Sequence, residues 1–97
     1  MIELSARIDE IVEAQFVSEE MVLAKELLKY HCSENVPFCE NNSPQEIDRI
    51  RIAALKISKG SYSELRRAVD LACLDWRDLL MEAGFGYDTE AHLKWLP

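Results

Sequence analysis

His31, Cys32 and Cys39 stand close together in the chain, with Glu34 and Glu40 beside them. Thiolates and an imidazole in one short stretch are the material of a zinc site or of a nucleophile–base pair. The spacing argues against both. Structural zinc turns favour cysteines about two to four residues apart, whereas six residues separate Cys32 from Cys39. A fourth ligand would have to come from Cys73 or His92, far along the chain. Neighbours on a helix point about 100° apart, so His31 is badly placed to activate Cys32. The simpler reading is two small buried thiols and a histidine that meets a helix C-terminal dipole. Three cysteines are an odd number, and a Cys32–Cys39 disulfide would need an oxidising setting.

Asp75, Asp78 and Glu82 form a second chemical cluster. On one helix face such a row can bind a metal or do acid–base work if it is buried. Capping by Asp75 and pairing with Arg77 explain these residues more simply. The three glycines, Gly60, Gly84 and Gly86, suit helix ends and make no phosphate loop. The expectation is a chain without catalytic, cofactor-binding or metal-binding residues.

Arg66, Arg67 and Arg77 carry the chief rival reading. Helices over 62–73 and 76–83, joined by a tight turn, would make a helix-turn-helix whose arginines reach nucleic acid. The second of those helices also holds Asp78 and Glu82, and carboxylates oppose phosphate contact. The whole chain is acidic, opposite to the usual nucleic-acid footprint.

Local signals lay out the helices. Ser43-Pro44-Gln45-Glu46 reads as a helix start, with a serine cap, proline at the first helical position and a glutamate that can reach back. Ser61-Tyr62-Ser63-Glu64 repeats the pattern directly after Gly60. Asp75 is a weaker third start, with Leu74 and Leu79 at the positions of a hydrophobic staple. Gly84-Phe85 reads as a Schellman ending. Leu4, Ile8, Ile11 and Val12 share one face of a first helix over 2–15. Ser18 is the expected cap of a second, from Glu19 to His31, with Val17 and Val22 as its staple. A loop spans 32–43. A third helix over 44–59 is apolar on two sides, Ile47/Ile50/Ala54/Ile57 and Ile52/Leu55. It is therefore either central in its own domain or packed on a second chain. Asp88 caps a last helix over 89–95. The run Asp75-Trp76-Arg77-Asp78-Leu79-Leu80, followed by Ala83-Gly84-Phe85, resembles stretches of small bacterial helical proteins; that resemblance implies no activity.

The chain has 97 residues, 48% hydrophobic and 30% charged, which fits one modest core and neither disorder nor a membrane protein. No apolar run nears the roughly 20 residues of a membrane span, and the first residues lack a secretory signal, so a cytoplasmic address is expected. Net charge is −7, unevenly spread. Residues 1–46 hold ten acids and three bases, while residues 47–97 hold eight of each. The acidic front and basic middle are either helices of opposite sign packed side by side or a charged surface that steers a partner.

These readings converge on one all-α domain over 1–97, with five or six short helices in orthogonal or bundle-like packing. The expected role is non-enzymatic: binding another protein, or itself, as an interaction or inhibitor/immunity-type module. Its candidate contact surface is Ile52, Leu55, Tyr87 and Trp95, since Tyr and Trp are enriched at interfaces. Its candidate charged surface is Glu10, Glu13, Glu19, Glu20, Arg66 and Arg67.

Overall fold

Local capping chemistry sets most of the helix boundaries. The computed structural model describes residues 3–33, 44–88 and 90–97. Among these the chain is all-α, with five helices in the order α1 (Ala6–Gln15), α2 (Ser18–His31), α3 (Pro44–Ser58), α4 (Tyr62–Ala83) and α5 (Ala91–Lys94). Ser43, Cys39 and most of the 32–43 loop lie outside the described residues.

The first helix begins later than its apolar pattern suggests. Ser5 is extended, and its hydroxyl accepts from the Ile8 N–H at 3.3 Å, so the helix starts at Ala6 and not at residue 2. Ser18 is not a cap either. Val17 takes the extended cap conformation with no side-chain bond, and Ser18 is the first helical residue. Val17 and Val22 remain 64% and 62% exposed, too open for a buried staple.

Between α3 and α4 the expected start and stop both form. Lys59 and Gly60 are left-handed, with φ of 51° and 84°. Ser61 then caps α4 by accepting from the Glu64 N–H at 3.4 Å. The reciprocal half of the capping box is absent, because the Ser61 N–H bonds the Ser58 carbonyl and the Glu64 carboxylate pairs with Arg67. Gly60 also lies where a Cβ would sit 2.5 Å from the Gln15 carbonyl oxygen, at the end of α1. Gly84 closes α4 as the Schellman pattern requires: its N–H bonds the Met81 carbonyl at 3.1 Å and the Phe85 N–H bonds the Leu80 carbonyl at 2.8 Å. A Cβ on Gly84 meets only the Lys56 Nζ, at 3.6 Å. Gly84→Ala therefore carries a conformational cost alone, about 1–2 kcal/mol. Gly60→Ala costs more, because the Gln15 backbone must also move; urea denaturation of the two variants should rank them in that order.

One residue divides α4. Asp75 has φ −155° and ψ 91°, so 62–74 and 76–83 are helical segments on either side of a kink. Its carboxylate accepts from the Arg77 and Asp78 N–H groups at 3.1 and 3.4 Å, restarting the helix as a true cap. Leu79 is buried but Leu74 is 85% exposed, so the expected Leu74–Leu79 staple does not close.

A single apolar core joins α1, α2, α3, α4 and Phe85. α3 packs most extensively on α4, its neighbour in sequence, and also touches α1 and α5. This makes α3 central. Ile47, Ile50 and Ala54 are buried on one side, and Ile52 and Leu55 are buried at 1% and 0% exposure on the other. Ile52 and Leu55 are thus core and not contact surface: the chain's own helices cover the second apolar stripe.

The cations of α3 point at helix ends. Arg51 is fully buried; its guanidinium donates to the Cys32 carbonyl at 2.8 Å, the Glu3 carbonyl at 2.9 Å and the Ser33 hydroxyl at 3.4 Å. Arg49 donates to the Phe85 carbonyl at 2.7 Å, and Lys56 donates to the Ala83 carbonyl at 2.7 Å while lying 4.9 Å from the Phe85 ring centre. The last carbonyls of a helix have no partner inside the helix and carry its negative dipole end, so cations there are favourable. Half of the basic middle is therefore internal: Arg49, Arg51 and Lys56 close the ends of α2 and α4.

Candidate interaction groove

The chemical cluster around His31 is pulled apart by its own helix. His31 is exposed while Cys32 is fully buried. Burial pushes the Cys32 thiol up to about 12, against the opposing pull of Arg51, so the sulfur is a protonated thiol at neutral pH. Cys73 lies near the end of α2, its Sγ 3.7 Å from the His31 carbonyl. His92 sits elsewhere, on α5 against Phe85. Among the described residues no three His, Cys, Asp or Glu side chains are grouped to hold a metal ion. Cys39, Glu34 and Glu40 lie outside the described residues. Asp75, Asp78 and Glu82 are all exposed.

The charged surface divides in two. Lys25 donates to Glu13 at 3.1 Å and lies 3.7 Å from Asp9; the Glu13 hydrogen bond raises its proton affinity. Lys29 pairs with Glu3 at 3.3 Å, which cross-links the chain start to α2. These pairs are solvent-exposed, worth about 0–1 kcal/mol each. Glu10 and Glu19 are exposed and Glu20 is half-exposed. Arg67 pairs within its own helix with Glu64 at 3.0 Å, not with the N-terminal acids. Arg66 is exposed beside a small groove shared with Tyr30, His31 and Tyr62. The two segments of α4 meet at the single residue Asp75, whereas a helix-turn-helix joins its helices by a turn of about three or four residues.

A largely apolar concavity lies elsewhere, where α3, the second segment of α4 and the turn after it meet. It holds about 480 Å³ and is lined by Arg49, Trp76, Arg77, Leu80, Met81 and Gly86. α3 supplies Arg49, fixed by its bond to the Phe85 carbonyl. The restart at Asp75 sets the phase that places Trp76, Leu80 and Met81 along one wall. Arg77 lies 5.3 Å from the Trp76 ring centre, a cation–π contact that holds it at the rim. Met81 is 51% exposed and Trp76 half-buried, so thioether and indole are both presented to solvent. Among the described residues no acid lines the groove. A second concavity, about 440 Å³, lies at the shared ends of α3 and α4 and is mainly cationic, with Lys56, Lys59 and Arg67 against Glu82.

Of the expected contact aromatics, Tyr87 is 88% exposed, one residue beyond Gly86. Trp95 is half-buried on the core, and its carbonyl accepts from the Arg7 guanidinium, so it seals the C-terminal segment. Sequence reading missed Met81, Leu80 and Arg49 as groove residues. The available signal was Met81, a flexible apolar residue on a short amphipathic segment that already buries Leu79, Leu80 and Ala83.

No helix of the described residues is long and apolar enough to cross a membrane. No family model, curated protein or solved structure matches this chain.

Proposed function

We propose that the chain is a non-enzymatic interaction module whose groove between α3 and the second segment of α4 receives a segment of a partner protein. The observation that carries this reading is the partly open Trp76–Met81 wall between two arginines. Exposed large apolar residues in a concave, cation-rimmed patch are the composition of a docking site: aromatic, Met and Arg side chains are the enriched types there. The fitting occupant is a segment with an apolar side chain beside a carboxylate. The apolar group enters against Trp76 and Met81, and the carboxylate meets Arg77. Leu74 and Tyr87, 85% and 88% exposed, flank the groove residues in sequence. A second copy of this chain, itself rich in exposed acids, would be a special case of the same occupant.

The test is affinity capture with the unsubstituted chain and with Met81→Asp/Arg77→Glu, with and without nuclease treatment. Both positions are exposed, so the double variant should keep its melting temperature within a few degrees. It should lose at least about tenfold in partner recovery, equivalent to about 1.4 kcal/mol. Binding through the groove's arginine should also weaken with added salt. Equal recovery by both proteins, or capture of nucleic acid instead of protein, would overturn the reading.

A further inference from the structure

We propose that residues 90–97 form an acid-released latch, docked while His92 is neutral and freed when His92 takes a proton. The inference does not depend on the docking function proposed above.

The geometry is that of a weakly anchored arm with one deeply placed ionisable ring. α5 has four residues, far too few to hold helical form without tertiary support. Its own turn is local: the Asp88 carboxylate accepts from the Glu90 N–H at 2.8 Å, and the Asp88 carbonyl accepts from the Ala91 N–H at 3.2 Å. Tertiary attachment comes from the Arg7–Trp95 carbonyl bond, the packing of Ala91 and Trp95 on the core, and His92. Leu93 and Leu96 point away, 52% and 74% exposed.

His92 is 1% exposed and meets the Phe85 ring edge to face, with centroids 6.5 Å apart. Neither of its ring nitrogens has a hydrogen-bond partner among the described residues. Burial is the main force against charging the ring. Arg49 on α3 and Arg7 on α1 add repulsion; Asp48 and Glu46 on α3 oppose them, and the net shift is downward from the ordinary value. Asp88, Glu90 and Lys94 are the charged groups of its own segment, and Lys94 pairs with Asp88 at 3.7 Å.

The sign follows from linkage. Above about pH 6.5 the ring is neutral whether docked or free, and docking is at full strength. Below that, the free arm binds a proton that the docked arm refuses. The docking equilibrium weakens by up to about tenfold per pH unit until the docked ring also protonates. Release would uncover Phe85 and part the Arg7–Trp95 contact. Arg49, which both repels charge on His92 and lines the groove, would lose a neighbour.

Trp76→Phe leaves Trp95 as the sole tryptophan of a chain that has two. On acidification from about pH 8 to about pH 5, its emission should shift to the red below about pH 6.5, with helical circular dichroism retained. His92→Phe should abolish the shift, and His31→Gln, at the other histidine, should preserve it. Amide NMR shifts of residues 90–97 in the unsubstituted protein report the same step without touching Trp76. No movement of the arm over this range would overturn the proposal. So would a shift that survives His92→Phe, or one that coincides with loss of helical signal.

Discussion

Arg51→Ala lowers the melting temperature by roughly 15 °C or more. Among the described residues the guanidinium holds three acceptors from two other parts of the chain, and all three bonds are buried or partly buried. Removing it leaves the Cys32 and Glu3 carbonyls without that donor and opens a cavity of arginine size. Each buried acceptor left without its donor costs about 1–3 kcal/mol and the cavity adds to that, so the total loss is about 3–5 kcal/mol. Against a total stability of about 5–15 kcal/mol, that is a large share. For a domain of this length each kcal/mol moves the midpoint by about 4–8 °C. Arg51→Lys should recover only part of the loss, since one ammonium cannot span a fork of three directions. Thermal and urea melts of the three proteins check this. A loss under about 1 kcal/mol for Arg51→Ala would mean that water replaces the clamp.

The second large effect separates core from surface. Leu55→Ala should cost about 2–5 kcal/mol, the range for a fully buried leucine whose site cannot collapse. Tyr87→Ala, at a site 88% exposed, should change stability by no more than about 0.5 kcal/mol. Had the Ile52/Leu55 stripe been a partner contact, Leu55→Ala would have weakened binding and spared the fold. Urea denaturation of the two variants decides between those outcomes.

Helix punctuation was the most legible part of the sequence. Ser61, Asp75 and the Gly84-Phe85 pair act through bonds to backbone groups two to five residues away, so their neighbours in sequence are their neighbours in space. Ser5 acts in the same way, but an apolar residue at position 4 extended the periodic pattern past it. Ser18 misled because cap preference is statistical, and here Val17 supplies the extended backbone. What depended on distant partners was less legible. An apolar stripe reads the same whether α4 or another molecule covers it. The arginines and lysine of α3 read as surface charge because their acceptors are backbone carbonyls, which one-letter codes do not display. The groove shares this fate: it is the space left between Arg49 and a helix segment more than two dozen residues later.

The pairing of α3 with α4 bears on the order in which the molecule assembles. Three residues connect these helices, and their interface is the most extensive in the molecule. Closing so short a loop costs little chain entropy, so a hairpin over 44–83 is the natural nucleus. Arg51 travels with that hairpin, and its acceptors among the described residues lie on α2's end and on the chain start. Its bonds therefore belong to a late step, the arrival of the N-terminal helices, and their strength is spent on slowing the escape of those helices from the native state.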